Sequence, residues 1–200
     1  VVSTVSHELK TPLMGIRGFA KLIMDGDLDP SDVVDFAREI HENAVRLSDY
    51  AAGILDEDAV HSGRVTLELR PIALQPLVAK VLRALAPVAT AAHALVNAVP
   101  DDLPLVMCDS DKMVQVLTNL VSNAVKYSPD GGRVVVEARV DAVDVEIAVE
   151  DEGVGIPEDV RSRIFDRFYR VPGRTTARIG GTGLGLSIVR GIVELHGGHI

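Results

Sequence analysis

The nine residues NLVSNAVKY, at positions 119–127, are the stretch from which the fold of this chain is best predicted. They end a predicted helix that starts at Asp111 and continues to about Tyr127. Their polar members follow the spacing i, i+4, i+7 and i+8, so they share one helix face. Two amides, a cation and an aromatic ring on one face suit a metal-chelated polyphosphate beside a stacked base. A structural alternative stays open, with the second amide near the helix end and the ring at the edge of the core. These four candidate residues are Asn119, Asn123, Lys126 and Tyr127.

A glycine-bearing segment, DEGVG at residues 151–155, follows a predicted strand from Asp144 to Glu150. Asp151 is therefore presented at a strand end, while Gly153 and Gly155 allow close approach of a ligand to the backbone. A carboxylate in this position can accept a hydrogen bond from an exocyclic amine such as that of adenine. The same motif also occurs in simple turns, and that alternative stays open.

A second glycine cluster, GGTGLGL at residues 180–186, opens a predicted helix that ends at His196. Backbone N–H groups and the positive end of the helix dipole meet there, which predicts a phosphate-binding loop. The loop lacks the Gly-Lys-Ser/Thr of a Walker A motif and the glycine spacing of a Rossmann turn. Its candidate ligand residues are Gly181, Thr182, Gly183, Leu184 and Gly185.

A basic segment separates the two glycine clusters, in a chain of 200 residues whose net charge is −9. A mobile basic lid over a triphosphate is the functional hypothesis, and a solvated run of charges is the structural one. The overall acidity argues against nucleic-acid binding through bulk electrostatics. The arginines of this segment are Arg161, Arg163, Arg167, Arg170, Arg174 and Arg178.

The first segment of the chain is predicted to be a helix with a heptad stripe at Val2, Val5, Leu9, Pro12 or Leu13, Ile16, Phe19 and Ile23. HELKTP, at residues 7–12, places His7 at the heptad position farthest from the stripe, with Thr11 on the same exposed face. A free ring nitrogen of His7 can attack phosphorus while Glu8 polarises the other N–H. Pro12 is expected to bend the helix. An ordinary exposed histidine is the alternative for this hexapeptide taken alone.

A second heptad stripe follows a turn at residues 25–30 and a helix cap expected at Ser31 or Asp32. Two such helices form a hairpin that cannot cover both stripes by itself. We therefore predict a dimerisation module in which two copies complete a four-helix bundle. A hairpin packed on the rest of its own chain is the alternative. The second stripe comprises Val33, Ala37, Ile40, Ala44, Leu47, Ala51 and Ile54.

The periodicity changes after residues 61–63, where a second domain is predicted to begin. Helices beside an antiparallel or mixed sheet make this domain an α+β sandwich. The predicted fold class is thus an all-α hairpin, residues 1–60, followed by an α+β sandwich, residues 61–200. Its expected strands are 65–69, 94–99, 104–107, 133–140 and 144–150, and its expected helices are 74–91, 111–127, 158–164 and 183–196.

A single cysteine, Cys108, excludes an internal disulfide and favours a reducing cytoplasm. The most apolar stretch, residues 81–99, is too polar to span a membrane, and no signal peptide is recognised. Both ends look cut, because Val1 enters the heptad pattern at once and Ile200 stands where a strand would start. We therefore expect a cytoplasmic fragment of a longer protein, with no membrane contact of its own, and the cytoplasmic part of a membrane-anchored sensor stays open as an alternative.

Together the motifs resemble those of bacterial two-component sensor histidine kinases, and they occur in that family's order. The resemblance implies a dimeric hairpin that carries a phosphoacceptor histidine, followed by a Bergerat-type ATP-binding sandwich of the histidine kinase and GHKL group. The sandwich would lack its final strand, so it would be truncated at its C-terminus. The matching segments are 7–12 for the H box, 119–127 for the N box, 151–157 and 181–186 for the glycine boxes, and 164–170 for the F box.

In the first domain the resemblance implies that His7 is phosphorylated and that Glu8 activates it. Thr11 would help to position water when the same protein dephosphorylates its partner. The phosphoryl group would pass from His7 to an aspartate of a response-regulator receiver domain. The expected assembly is a homodimer, and neither nucleic acid nor a membrane is an expected partner.

In the second domain the resemblance implies that ATP binds together with Mg²⁺. Asn123 would hold the metal, Asn119 and Lys126 would assist at the phosphates, and Tyr127 would lie against the nucleotide. Asp151 would bind the adenine amine, and both glycine boxes would line the nucleotide loops.

A histidine kinase has two alternatives, one among other ATPases of the same fold and one without enzymatic activity. Type II topoisomerases, mismatch-repair ATPases and the large heat-shock ATPase share the nucleotide fold but lack a hairpin bearing HELKTP. A dimeric scaffold that binds nucleotide without chemistry is the non-enzymatic alternative, which incubation with labelled ATP distinguishes.

Overall fold

The structure, a computed structural model, describes residues 2–26, 28–172 and 181–200, with side chains from Leu9 onward. The chain divides into two compact units, residues 1–58 and 59–200. The first unit is helical, and the second combines helices with two sheets. Within the described ranges no helix is both long enough and apolar enough to cross a bilayer.

Two long helices make up the first unit. α1 spans Val2–Asp25, and α2 spans Pro30–His61, with its last turn in the second unit. Phe19 of α1 faces Phe36 of α2, and their ring centroids lie 5.4 Å apart. Pro12 lies inside α1 without ending it. The predicted helical hairpin is thereby confirmed.

The start of α2 differs from the prediction. The helix begins at Pro30, so a cap at Ser31 or Asp32 is wrong. The carbonyl of Asp29 instead accepts hydrogen bonds from the N–H groups of Asp32 and Val33. Proline suits the first helical position because its missing N–H would have no partner there.

The stripe predicted on α2 is correct at every second member only. The β-branched residues and leucine of that stripe are partly covered, whereas Ala37, Ala44 and Ala51 are exposed. The residues one position earlier, Phe36 and Asn43, are partly covered in their place. Asn43 lies so close to α1 that a Cβ on Gly15 would be 3.1 Å from its Nδ2. Side-chain size therefore determines which residues of α2 contact α1, because the ring of Phe36 reaches α1 and an alanine methyl group does not.

The described part of the second unit contains two sheets, three α-helices, a 3-10 helix and the last turn of α2. A mixed sheet has the order β2-β4-β5, with β2 parallel to β4 and β4 antiparallel to β5, and a separate antiparallel pair joins β1 to β3. The predicted α+β class is thus confirmed. The elements are β1 Arg70–Ile72, α3 Leu74–Leu85, β2 His93–Asn97, β3 Val106–Cys108, α4 Ser110–Lys126, β4 Gly132–Asp141, β5 Asp144–Asp151, a 3-10 helix Glu158–Val160, and α5 Gly185–Leu195.

The core of the second unit lies between the mixed sheet and its helices. β4 alternates between buried and outward residues, with Val134 and Val136 fully buried. α4 contacts α3, α5 and both long strands, and it contributes Leu117 and Val121 to the core. α5 adds Ile192, which has no exposed surface. Because the apolar face of α4 is buried in this core, the polar face of α4 points away from the core.

Several predicted boundaries are wrong. The strand expected over 65–69 is absent from the described chain, because the N–H of Glu68 bonds to the Asp109 carboxylate at 2.9 Å instead of a strand partner. The helix expected over 74–91 ends at Leu85, and turns follow around Pro87, which cannot continue a helix ladder. The helix expected over 158–164 is only the three-residue 3-10 turn.

Candidate active site

A cavity of about 120 Å³ in the second unit brings together most of the residues expected to bind nucleotide. One wall is the polar face of α4, another is the loop before α5, and a third is the segment 164–170. Its basic members are Lys126 and Arg170, and no carboxylate belongs to the part of its lining that the structure describes. The lining residues are Asn119, Ser122, Asn123, Lys126, Tyr127, Ile164, Tyr169, Arg170, Gly181, Thr182, Gly183, Gly185 and Leu186.

The N-terminus of α4 is held by Asp109, whose carboxylate accepts hydrogen bonds from the N–H groups of Asp111 and Lys112. A further bond from the N–H of Glu68 is the main reason why the pKa of Asp109 is lowered. The helix is amphipathic, so burial of Leu117 and Val121 turns the candidate polar residues toward the cavity.

The glycine loop before α5 approaches other segments very closely. Gly183 has φ +69, and a Cβ at this position would lie 2.8 Å from the carbonyl carbon of Phe168. Only glycine fits without strain, since both the left-handed φ and the contact exclude a side chain. Gly185 begins α5 against Asn119, with a Cβ position 3.0 Å from Oδ1.

Two residues of this loop, Thr182 and Leu184, have side chains that make contacts within the protein. Thr182 Oγ1 accepts a hydrogen bond from the N–H of Leu184 at 3.2 Å. The Leu184 side chain is 1% exposed and belongs to the core. A role in nucleotide binding for Leu184 could therefore not involve its side chain.

Asp151 is the last residue of β5 and is exposed, but it does not line the cavity. Its Oδ1 accepts a hydrogen bond from the N–H of Gly153 at 2.9 Å. A Cβ on Gly153 would lie 2.3 Å from the carbonyl oxygen of Tyr127, so only glycine fits. The next residue, Val154, donates its N–H to that carbonyl at 3.0 Å. The loop of Asp151 is thus fastened to the end of α4, while Gly155 is exposed with φ +67.

Contacts between arginine guanidinium groups and aromatic rings hold the segment 164–170 in place. The Arg190 guanidinium of α5 lies 4.6 Å from the ring centroid of Phe165, and that of Arg163 lies 4.5 Å from the centroid of Tyr169. Phe168 has φ +61 and donates its N–H to the carbonyl of Gly183 at 2.9 Å. Such a φ is uncommon for an aromatic residue and strains the backbone at this junction.

Other predicted residues fall outside what the structure describes. Arg174 and Arg178 of the basic segment lie in residues 173–180, and the side chains of His7 and Glu8 precede Leu9. Both H-box residues belong to α1, and Thr11 of the same helix is exposed.

Some cavity residues were missed by sequence reasoning. Ser122 lies three residues after Asn119, so the helical spacing could have identified it. Ile164 and Tyr169 lie in the segment that resembles the F box, but neither was given a role in the cavity, because their position there depends on the contacts of that segment with α5 and with the loop before it. Arg190 is similar, since nothing in the sequence pairs it with Phe165.

Two family models match the chain. "His Kinase A (phospho-acceptor) domain" matches residues 1–61, and "Histidine kinase-, DNA gyrase B-, and HSP90-like ATPase" matches residues 108–200. These matches coincide with the helical hairpin and with the part of the second unit that carries the cavity.

Curated proteins and solved structures agree with these matches. The sensor histidine kinase WalK of Bacillus subtilis (strain 168) is 33% identical over 202 residues, which cover 100% of this chain and 33% of WalK. The chain thus spans about a third of that relative. The histidine kinase AdeS of Acinetobacter baumannii has a TM-score of 0.74 at 28% identity, covering 94% of this chain and 86% of that chain.

A solved complex of the histidine kinase ThkA with the response regulator protein TrrA also matches, with a TM-score of 0.79 at 25% identity. It covers 98% of this chain and 55% of that chain. Since a phosphoacceptor hairpin and an ATPase-type domain follow one another along a single polypeptide, the chain belongs to the sensor histidine kinase family.

Proposed function

We propose that this chain is the catalytic core of an ATP-dependent protein-histidine kinase that phosphorylates His7. The observation that carries the proposal is the cavity, where two asparagine amides, two cationic side chains and a glycine loop meet. Backbone N–H groups and cations, with no carboxylate in the described part of the lining, favour a polyanion such as a triphosphate.

ATP is proposed to bind with its phosphates in this cavity and its adenine near Asp151. The Asp151 carboxylate is exposed at the strand end and can accept a hydrogen bond from the adenine amine. Tyr127 joins the two subsites, because it lines the cavity and its carbonyl accepts the N–H of Val154 from the loop of Asp151. Lys126 and Arg170 would balance phosphate charge.

Mg²⁺ fits this site only together with the phosphates. Within the described residues no group of three or more His, Cys, Asp or Glu side chains could hold a metal. Asn123 offers an uncharged amide oxygen, with Asn119 one turn before it on the same face. When bound, the ion would offset the negative charge that develops on the phosphate oxygens.

The proposed reaction transfers the γ-phosphoryl group from ATP to His7. A neutral ring nitrogen supplies the electron pair for the new N–P bond, and the bond from the γ-phosphorus to the bridging oxygen breaks, releasing ADP. Glu8 is proposed to hold the other ring N–H and so to keep the attacking nitrogen unprotonated. Thr11 is proposed to serve in hydrolysis of the phosphorylated partner.

The partner is proposed to be a receiver domain whose aspartate takes the phosphoryl group from His7. Support comes from the family and from the complex of ThkA with a response regulator protein. We assign the reaction to the cytoplasm, where ATP is available and the single thiol, Cys108, stays reduced.

Incubation of the chain with γ-labelled ATP and Mg²⁺ tests the proposal. We expect label on the wild-type protein and none on His7→Gln, which keeps a polar side chain but has no nucleophilic nitrogen. A His41→Gln variant is the matched control, because His41 is an exposed histidine of α2 outside the motif. Wild-type protein that binds ATP without taking up label would overturn the proposal.

A further inference from the structure

α5 lies close to α4 at both of its ends. At the start of α5, Gly185 approaches Asn119 at the nucleotide cavity. At its end, His196 accepts a hydrogen bond through Nε2 from the N–H of Asp109 at 3.0 Å. The two contacts are separated by roughly 15 Å along each helix, at about 1.5 Å per residue. The helices therefore run antiparallel, with the cavity at one contact and His196 at the other.

The hydrogen bonds of His196 define its state. Nδ1 lies 2.8 Å from the carbonyl oxygen of Ile192, which can only accept, so Nδ1 carries the proton. Nε2 is then the acceptor for the Asp109 N–H. The ring is neutral in this arrangement, and it is half-buried at the C-terminal end of α5.

Asp109 extends this contact to a third segment. Its carboxylate caps α4 and accepts the N–H of Glu68, which lies in the connector between α2 and β1. The residue is buried, so its N–H has no ready alternative in water if His196 is removed. One residue thus joins the connector, α4 and α5.

We propose that His196 is a positioning residue for the ATP site, acting through α5 on the glycine loop at its other end. The hydrogen bond to Asp109 fixes the far end of the helix, and the stiffness of a packed helix carries that constraint to Gly185. This inference rests on the proposed binding of ATP phosphates by the loop.

The test compares ATP affinity in four versions of the full chain: wild type, His196→Gln, His196→Asn and His199→Leu. Glutamine can place an amide oxygen near the position of Nε2, whereas the shorter asparagine cannot. His199 is an exposed histidine three residues later and serves as the control. The dissociation constant of Mg·ATP is measured by calorimetry, and the melting temperature without nucleotide is recorded for each protein.

We expect His196→Asn to weaken ATP binding about tenfold at temperatures where it is fully folded, as for loss of one buried hydrogen bond. His196→Gln should stay within roughly threefold of wild type, and His199→Leu should be unchanged. An asparagine variant with a lower melting temperature but wild-type ATP affinity would overturn the inference. So would equal losses for glutamine and asparagine. Failure of the wild-type chain to bind ATP would instead contradict the proposed function.

Discussion

The two units of the chain differ in how completely they bury their apolar side chains. In the second unit Val121, Val134 and Ile192 have no exposed surface. In the hairpin the apolar side chains that the structure describes are mostly exposed in part or fully, and Leu13 (55%) and Val34 (58%) are examples. The second unit therefore closes its own core, whereas the hairpin leaves apolar surface that water disfavours. We propose that a second copy covers it in a four-helix bundle.

The largest expected effect is on the oligomeric state, which should depend on the hairpin and not on the second unit. The full chain should be a dimer at micromolar concentration, and a chain limited to the second unit, residues 59–200, should be a monomer, because it lacks the hairpin but keeps Val60 in its core. Sedimentation velocity of both proteins measures the difference. A monodisperse monomer for the full chain would contradict the four-helix assembly.

The next effect separates the units by chemistry. Asp151→Asn should weaken ATP binding about hundredfold, since the charged acceptor for the adenine amine is lost. His7→Gln should leave ATP binding unchanged, because His7 belongs to the other unit. Calorimetric titration of both variants checks this. Loss of ATP binding in His7→Gln would show that the two functions are not divided between the units.

Two glycine substitutions sharpen the packing contrast. A Cβ on Gly191 of α5 would lie 2.3 Å from Cγ1 of Val60, so Gly191→Ala should lower the free energy of unfolding by about 1–3 kcal/mol. Among the described residues, apart from the neighbouring residues and backbone of its own helix, no heavy atom comes within 4 Å of a Cβ on Gly18 of α1. Gly18→Ala should raise the free energy of unfolding by about 0.5–1 kcal/mol.

Urea unfolding of the full chain measures both changes, and Val60→Ala is the matched partner variant. In that background Gly191→Ala should no longer be destabilising, because the clashing methyl group is gone. Destabilisation of equal size in both backgrounds would show that Val60 is not the cause.

The smallest effect lies within the hairpin. Thr11→Ala should slow dephosphorylation of a phosphorylated receiver domain about fivefold, as for one lost neutral hydrogen bond, and should change autophosphorylation by less. Thr11 lies one turn after His7, and its side chain is exposed. Receiver-domain phosphate release and label uptake are measured in parallel. Equal losses in both assays would make Thr11 a structural or docking residue.

Local patterns predicted what depends on neighbours in sequence. The four candidate residues of α4 share a face by helical spacing, and all four line the cavity. The fold class followed in the same way from the change in periodicity near residue 61. These features need no knowledge of distant contacts.

What sequence reasoning missed depends on distant contacts. The strand expected over 65–69 is absent because Glu68 bonds to Asp109, which lies 41 residues away. Phe36 replaces Ala37 in the hairpin seam because of its fit against α1. Tyr169 belongs to the F-box segment, but its position in the cavity depends on the contacts of that segment with α5, which its spacing and type do not predict.

The acid and alkali stability of the protein-bound label tests the central claim most directly. Transfer to a neutral imidazole gives a phosphoramidate, whose nitrogen is readily protonated and then leaves. Labelled protein from γ-labelled ATP is divided between mild acid and alkali, and the retained label is counted. The account predicts loss in acid and retention in alkali, whereas acid-stable and alkali-labile label would indicate a serine or threonine ester and contradict phosphorylation at His7.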